Sequence, residues 1–269
     1  ATQEVFSSKQ GLYNGHSGKF KHIINMGASL PPQRKGRVPM YNRSNLDLLQ
    51  SKFDELYEQG VFARPEDLNM VVEYVSPSFL ISKSSGGHRL VTAFTDIGQY
   101  AKPQPSLMPK VEDVLQHIGQ WQWIIKADLK QAYFQIPLAR ESMKFVGVCT
   151  PFRGVLMYTR SVMGLPGSES ALEQLLCKVL GDLMVKGSVV KLADDLYLGA
   201  DSPSKLNTIW EDVLSLLEIN GLRLSPLKTV CCPQATDILG WRWEQGKLSA
   251  TPHKLNTLAV CSPPSTVKA

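Results

Sequence analysis

Two periods of apolar residues divide the chain into elements. Leu46, Leu49, Phe53 and Leu56 recur every three to four residues, which predicts a helix opened by Ser44 and stopped at Gly60. Ser170 and Glu173 have capping-box spacing, and Leu172, Leu175, Leu176, Val179 and Leu183 then mark the face of a second helix. A third spans about Ser204 to Asn220, ending at Gly221, and a short one ends near His117. Elsewhere the pattern is that of strands. Pro77–Lys83 and His88–Phe94 predict a hairpin around Ser84-Ser-Gly-Gly87, and Trp121–Ala127 a strand ending at Asp128. Residues 145–162 read as two strands around Pro151, and residues 188–199 as strand, acidic turn (Asp194-Asp195) and strand. Leu222–Leu224, Thr229–Cys232, Ile238–Trp243 and Lys247–Ala250 read as short closing strands. Helices and hairpins are intermixed, so the expected class is α+β. Residues 1–43, rich in Gly, Pro, Lys and Arg, read as an extended arm.

Composition narrows the classes. The 269 residues are 43% hydrophobic and 20% charged, a globular balance with enough chain to bury a core. No apolar run reaches the roughly 18 residues needed to cross a bilayer, and no signal peptide is visible. The first residue is Ala, so the native N-terminus is expected upstream. Five cysteines, an odd number with no C-x-x-C pair, argue against a disulfide framework or zinc site and for reduced thiols in a cytoplasmic setting. A net charge of +5 permits a nucleic-acid partner without demanding one.

The carboxylates offer the first chemistry. Asp194 and Asp195 are adjacent at the tip of an apolar hairpin, where like charges repel unless a cation lies near. Asp128 ends another apolar strand. If those strands are sheet neighbours, three acids converge at one edge and can hold hard divalent ions such as Mg²⁺. Two such ions can activate a hydroxyl and stabilise a leaving pyrophosphate. A solvated Asp-Asp turn is the competing explanation. Lys83 and Arg89 flank a glycine turn, as a phosphate clamp would or as ordinary surface charges do. Tyr133 fits a core aromatic or the underside of a sugar. Gly164 and Gly167 permit close backbone approach, or simply enter a helix. Lys228 could donate a proton to a leaving group or be an ordinary surface lysine.

In order along the chain stand Pro77-Ser-Phe-Leu-Ile-Ser-Lys83 with His88-Arg-Leu-Val91, Lys126-Ala-Asp-Leu-Lys-Gln-Ala-Tyr-Phe-Gln-Ile-Pro137, Val162-Met-Gly-Leu-Pro166, Leu192-Ala-Asp-Asp195, Gly221-Leu-Arg-Leu-Ser-Pro-Leu-Lys228 and Ile238-Leu-Gly-Trp241. The series resembles the palm and fingers motifs of reverse transcriptases, in the flavour of gypsy-like LTR retrotransposons and retroviruses. The resemblance runs over roughly residues 28–265.

It implies a right-hand polymerase with an antiparallel palm sheet and helices packed on one face. The arm (1–43) would precede fingers (44–120, with part of 138–162), a palm (121–250) and the start of a link toward a thumb or connection (251–269). Asp128, Asp194 and Asp195, with the Leu129 carbonyl, would bind two Mg²⁺ ions, for which Mn²⁺ could substitute. Lys83 and Arg89 would hold an incoming dNTP, Tyr133 would be the steric gate against a 2′-hydroxyl, and Gly164 would lie beside the nucleotide. Lys228 would protonate pyrophosphate, and Leu239, Gly240 and Trp241 would grip the primer. The implied partners are an RNA or DNA template–primer and the thumb, ribonuclease H and integrase of a longer Pol polyprotein. The implied setting is cytoplasmic, within retroelement particles, with no membrane. The chain departs from the family pattern at Leu192, where an aromatic is usual, at Ala93-Phe94-Thr95, at the Ser84-Ser turn and at Met163. These departures keep two alternatives open: an inactive nucleic-acid-binding scaffold and, less favoured, an RNA-dependent RNA polymerase.

Overall fold

The computed structural model describes residues 3–83, 86–107, 109–192 and 195–251. After a 3₁₀ turn at Gln3–Phe6 come helix α1 (Arg43–Glu58), β1 (Phe62–Ala63), β2 (Val75–Ser76), β3 (Ser78–Ser82) and β4 (His88–Thr92). Helices α2 (Thr95–Tyr100) and α3 (Val111–Ile118) lead to β5 (Trp123–Asp128). Helix α4 (Arg140–Met143), β6 (Gly147–Thr150), β7 (Gly154–Tyr158) and α5 (Ser168–Val185) follow. The chain continues with β8 (Val189–Leu192), β9 (Asp195–Ala200) and α6 (Pro203–Ile219), then β10 (Val230–Cys231), β11 (Ala235–Ile238), β12 (Trp241–Glu244) and β13 (Lys247–Ala250). The architecture is α+β, and among the described residues every strand pair is antiparallel except β2 with β6.

The chain divides into two compact units, each assembled from separate stretches. One comprises Ala1–Leu107, Leu129–Gly181 and Ser215–Arg223. Its sheet runs β1-β7-β6-β2, beside the β3–β4 hairpin. Leu49 and Phe53 of α1 are fully buried with Phe62, Val148 and Tyr158 in one apolar cluster. The Phe62 and Tyr158 rings lie 4.3 Å apart. Each such side chain removed from water contributes about 2 kcal/mol before ordering costs. The N-terminal segment is built into this unit. Tyr13 N–H donates to the Gln135 carbonyl at 2.8 Å, His22 N–H donates to that of Pro137 at 2.8 Å, and Val5, Tyr13 and Ile24 are buried.

The other unit comprises Met108–Asp128, Asp182–Leu214 and the chain from Leu224. Its main sheet runs β10-β5-β9-β8, with a second, β11-β12-β13. Val114, Leu115 and Ile118 of α3 pack with Trp121, Ile124, Leu192, Tyr197, Ile238 and Trp243. Gly199 is required on β9 because the Trp121 indole occupies the space a Cβ would fill.

Several sequence expectations need correction. Asn42, not Ser44, caps α1: its side chain accepts from Asn45 N–H at 2.9 Å. Ser170 and Glu173 form no capping box. The Ser170 hydroxyl donates to the Pro105 carbonyl at 2.8 Å and Glu173 accepts from Leu107 N–H at 2.7 Å, so a tertiary partner takes both side chains. Residues 222–224 form no regular strand, because Arg223 N–H is drawn to the Gln135 side chain at 2.7 Å. Ile238–Trp243 is not continuous. Ile238 pairs with Trp241 across a two-residue turn in which Leu239 (φ 47°) and Gly240 (φ 79°) are both left-handed, the primed-turn geometry that matches strand twist. Helix α2 gave no periodic signal because it is a single short turn and a half. The proposed link beyond Thr251 lies outside the described residues, as do Ser84 and Ser85.

Candidate active site

The acidic edge belongs to β5 and β9. These strands pair from Trp123↔Ala200 to Asp128↔Asp195, so the last residue of one faces the first of the other. Side chains alternate across a sheet, which puts Asp128, Lys126, Asp195 and Tyr197 on one face and Ile125, Ala127, Leu196 and Leu198 on the other. Two carboxylates directly opposite each other repel unless cations intervene. Here each has a lysine: Lys228 Nζ lies 3.2 Å from Asp128 Oδ2, and Lys126 Nζ lies 2.8 Å from Asp195 Oδ2. Asp128 is buried, at 8% exposure, while its lysine partner is largely exposed. The Tyr197 hydroxyl reaches Asp195 at 3.4 Å, and burial, reinforced by that carboxylate's charge, pushes the phenol's pKa well up.

Lys228 reaches the acid through a local turn. Thr229 N–H donates to the Ser225 carbonyl at 3.0 Å, and Ser225 N–H donates to the Asp128 carbonyl at 2.8 Å. Asp194, the third expected acid, lies outside the described residues. Among those described, no group of three or more His, Cys, Asp or Glu is arranged to hold a metal. The facing carboxylates of Asp128 and Asp195 are hard oxygen donors and fit Mg²⁺ as a donor set. Leu192, the departure from the aromatic pattern, is buried in the apolar cluster on the acids' face.

The other expected residues sit in the first unit or on the small sheet. Tyr133 is on a 3₁₀ turn, Ala132–Gln135, entered through a left-handed Gln131. Gln135 fixes that turn: its buried amide donates to the Lys130 and Arg223 carbonyls at 2.8 and 2.9 Å. Tyr133 and Gly164 line one cavity of about 460 Å³ together with Gln104, Ser106, Met163 and Glu173. Gly164 has φ 85°, and nothing lies within 4 Å of where a Cβ would stand. Backbone conformation alone therefore demands glycine there, and the space in front of it is open. Lys83 and Arg89 are exposed on the β3–β4 hairpin. Ser78 and Thr92 hydrogen-bond on the inward face, and Thr92 reaches the Tyr158 hydroxyl at 2.7 Å. Register then puts Ile81 and Arg89 on the opposite, outward face, and Lys83 directly follows β3. Leu239 is exposed at the β11–β12 turn, and the Gly240 carbonyl accepts from Thr251 N–H at 3.1 Å.

Three polar residues have partners that the sequence reading did not give them. Lys126 holds Asp195. Glu173, 3% exposed, anchors residues 106–107, and its Oε1 has no hydrogen-bond partner. His22, 3% exposed, hydrogen-bonds to Ser161 and Pro166. Lys126 had a sequence signal, a cation two residues before an acid on an apolar strand; the capping-box spacing of Glu173 pointed to a different partner, and His22 had no signal.

Residues 86–243 match the family model described as reverse transcriptase (RNA-dependent DNA polymerase). The chain belongs to the reverse transcriptase family. The matched segment contains Arg89, Asp128, Tyr133, Gly164, Asp194, Asp195, Lys228 and Leu239–Trp241, and leaves Lys83 outside. Among curated relatives, an enzymatic polyprotein of Cassava vein mosaic virus is 22% identical over 223 residues, covering 81% of this chain and 34% of that protein. The retrovirus-related Pol polyprotein from transposon gypsy of Drosophila melanogaster is 24% identical over 244 residues, covering 85% of this chain and 23% of that protein. The chain therefore spans about a third or less of the length of these relatives. Among solved structures, the foamy viral protease–reverse transcriptase in complex with ds DNA superposes with a TM-score of 0.79 at 18% identity, over 99% of this chain and 45% of that one. This likeness places the chain in the same right-hand polymerase fold.

Proposed function

We propose that this chain is the polymerase portion of a gypsy-like Pol polyprotein and extends a primer 3′-hydroxyl with dNTPs on RNA or DNA templates. The observation that carries the reading is the cross-strand pair Asp128↔Asp195, two carboxylates converging at one sheet edge. Asp128, Asp194 and Asp195, with the Leu129 carbonyl, would hold two Mg²⁺ ions, and Mn²⁺ would substitute. When bound, such ions activate the primer hydroxyl and neutralise charge on the α-phosphate and the departing pyrophosphate. Lys126 and Lys228 hold the two described acids before that and relinquish them. Lys228 is the proton donor to pyrophosphate. Lys83 and Arg89, both exposed on the hairpin, clamp the triphosphate.

Tyr133 packs against the sugar where a 2′-hydroxyl would stand, and Gly164 leaves room beside the nucleotide. The Leu239–Trp241 turn holds primer backbone, a contact that positions without reading bases. Residues 44–120, with part of 138–162, act as fingers and 121–250 as palm. A foamy viral relative in fold is solved with ds DNA, and template–primer is the partner proposed here. A thumb, ribonuclease H and integrase would come from the rest of the polyprotein, in the cytoplasm within retroelement particles. Among the described residues no helix is long and apolar enough to cross a membrane.

The test is primer extension on an RNA template with dNTPs and Mg²⁺. Extension that Asp194→Asn abolishes supports the reading, and extension that it leaves unchanged removes Asp194 from the mechanism. A second reading, a silent nucleic-acid-binding scaffold, is favoured by the lysines on Asp128 and Asp195 and by Leu192. Template–primer binding with no incorporation, even in Mn²⁺, would establish it. Equal use of rNTPs would point to an RNA polymerase instead.

A further inference from the structure

The turn that carries Gly164 is braced from below by a histidine far away in the sequence. His22 is 3% exposed, and its backbone is pinned on both sides: His22 N–H donates to the Pro137 carbonyl and Ala139 N–H donates to the His22 carbonyl, both at 2.8 Å. Its ring meets the turn at two points. Nε2 lies 2.9 Å from the Pro166 carbonyl, and Nδ1 lies 2.9 Å from the Ser161 hydroxyl. Ser161, fully buried, continues to the Ser168 hydroxyl at 2.7 Å, and Ser168 reaches back to the Val162 carbonyl at 2.8 Å. The relay thus closes a loop around residues 161–168, with both ends of the turn tied to one imidazole.

The ring's proton arrangement follows from its partners. A carbonyl oxygen only accepts, so Nε2 carries hydrogen. Nδ1 then accepts from Ser161 if the ring is neutral, and the Ser168 hydroxyl has two acceptors within reach. A charged ring could run the hydroxyl relay the other way. Burial decides against that, holding the imidazole pKa down at about 4 despite the opposing pull of the Pro166 carbonyl.

The braced residues are also cavity residues. Leu165, Gly167 and Ser168 line the same cavity as Tyr133 and Gly164. Gly167, at φ 78°, is packed so closely over His22 that an added Cβ would stand 3.2 Å from Nε2 and 3.0 Å from Gln104. The imidazole thus lies directly beneath a residue that lines the cavity, so removing the ring removes support from the cavity wall.

We propose that His22 is a positioning residue for the nucleotide site, fixing the Gly164–Gly167 turn through Ser161, Ser168 and the Pro166 carbonyl. The proposal rests on the polymerase reading and adds to it a residue outside the matched segment 86–243.

The experiment measures single-nucleotide primer extension by the chain and by its His22→Phe and Ser161→Ala variants. A hydrogen bond lost beneath the turn should raise the dNTP KM about tenfold, with kcat changed less than about twofold. His22→Asn, which can restore one of the two ring contacts, should recover part of the loss. Ser161→Ala, which removes only a hydroxyl, serves if His22→Phe does not fold. Its effect should be largely absent when added to His22→Phe, since both break one relay. Independently of activity, nitrogen NMR of the folded chain should find His22 neutral with hydrogen on Nε2, and Ser161→Ala should speed amide exchange at Leu165 and Ser168.

An active wild-type chain whose dNTP KM is unchanged in Ser161→Ala and His22→Phe overturns the positioning role. So does an imidazole with hydrogen on Nδ1 alone. A wild-type chain that folds and binds template–primer yet incorporates nothing overturns the polymerase reading itself.

Discussion

The acidic edge and the Gly164 turn are built in opposite ways. At the edge, two adjacent strands with a strict alternation suffice. Once β5 and β9 pair, register alone sets Asp128 opposite Asp195, and the sheet's hydrogen-bond ladder holds them there. The turn has no ladder. Its cavity is walled by residues 104–106, the 3₁₀ turn at Tyr133 and the start of α5, and its brace comes from His22. A site made by register tolerates change beyond the two strands, whereas a site made by long-range side-chain contacts is exposed to substitutions scattered along the chain.

Perturbations of different size should separate the two. Asp128→Asn should lower primer extension by about a thousandfold or more while circular dichroism stays native, because the charge proposed to hold a metal is lost and the ladder is kept. Trp243→Ala acts on the support of the edge instead. The side chain is 1% exposed, and its Nε1 donates to the Trp121 carbonyl at 3.2 Å. Its removal should cost about 3–5 kcal/mol in urea unfolding.

The turn should respond to pH as the edge's strand ladder does not. Folded His22 takes up its proton near pH 4 and the unfolded residue near 6.5, so the unfolded state binds more protons between those values. Stability from the neutral ring is complete above pH 6.5 and is lost as the pH falls toward 4, by up to about 3 kcal/mol. Urea midpoints measured at pH 7 and 4.5 should converge in His22→Gln relative to the unmodified chain. The smallest expected effect is at Tyr133. Tyr133→Ala should cut discrimination between dNTP and rNTP by about 10- to 100-fold in competition extension assays, with little change in correct dNTP incorporation.

The amphipathic stripe of α1, the hairpins and the strand ending at Asp128 were legible because each is a short-range pattern of apolar residues. Leu239-Gly240 was misread as mid-strand, since the apolar character of residues 238–243 continues through a turn that only its left-handed backbone reveals. Ser170 and Glu173 had the right spacing for a cap and were diverted to residues 105–107, a contact that local spacing cannot encode.

By itself, then, the sequence determined the α+β class, the family motifs and which carboxylates end which apolar strands, because alternation and order along the chain are local properties. Tertiary structure alone decided that Asp128 faces Asp195 in register, that Lys126 and Lys228 hold them, and that a buried histidine braces the Gly164 turn. Those contacts join residues distant in sequence, and their strength comes from burial and geometry that exist only once the chain has folded.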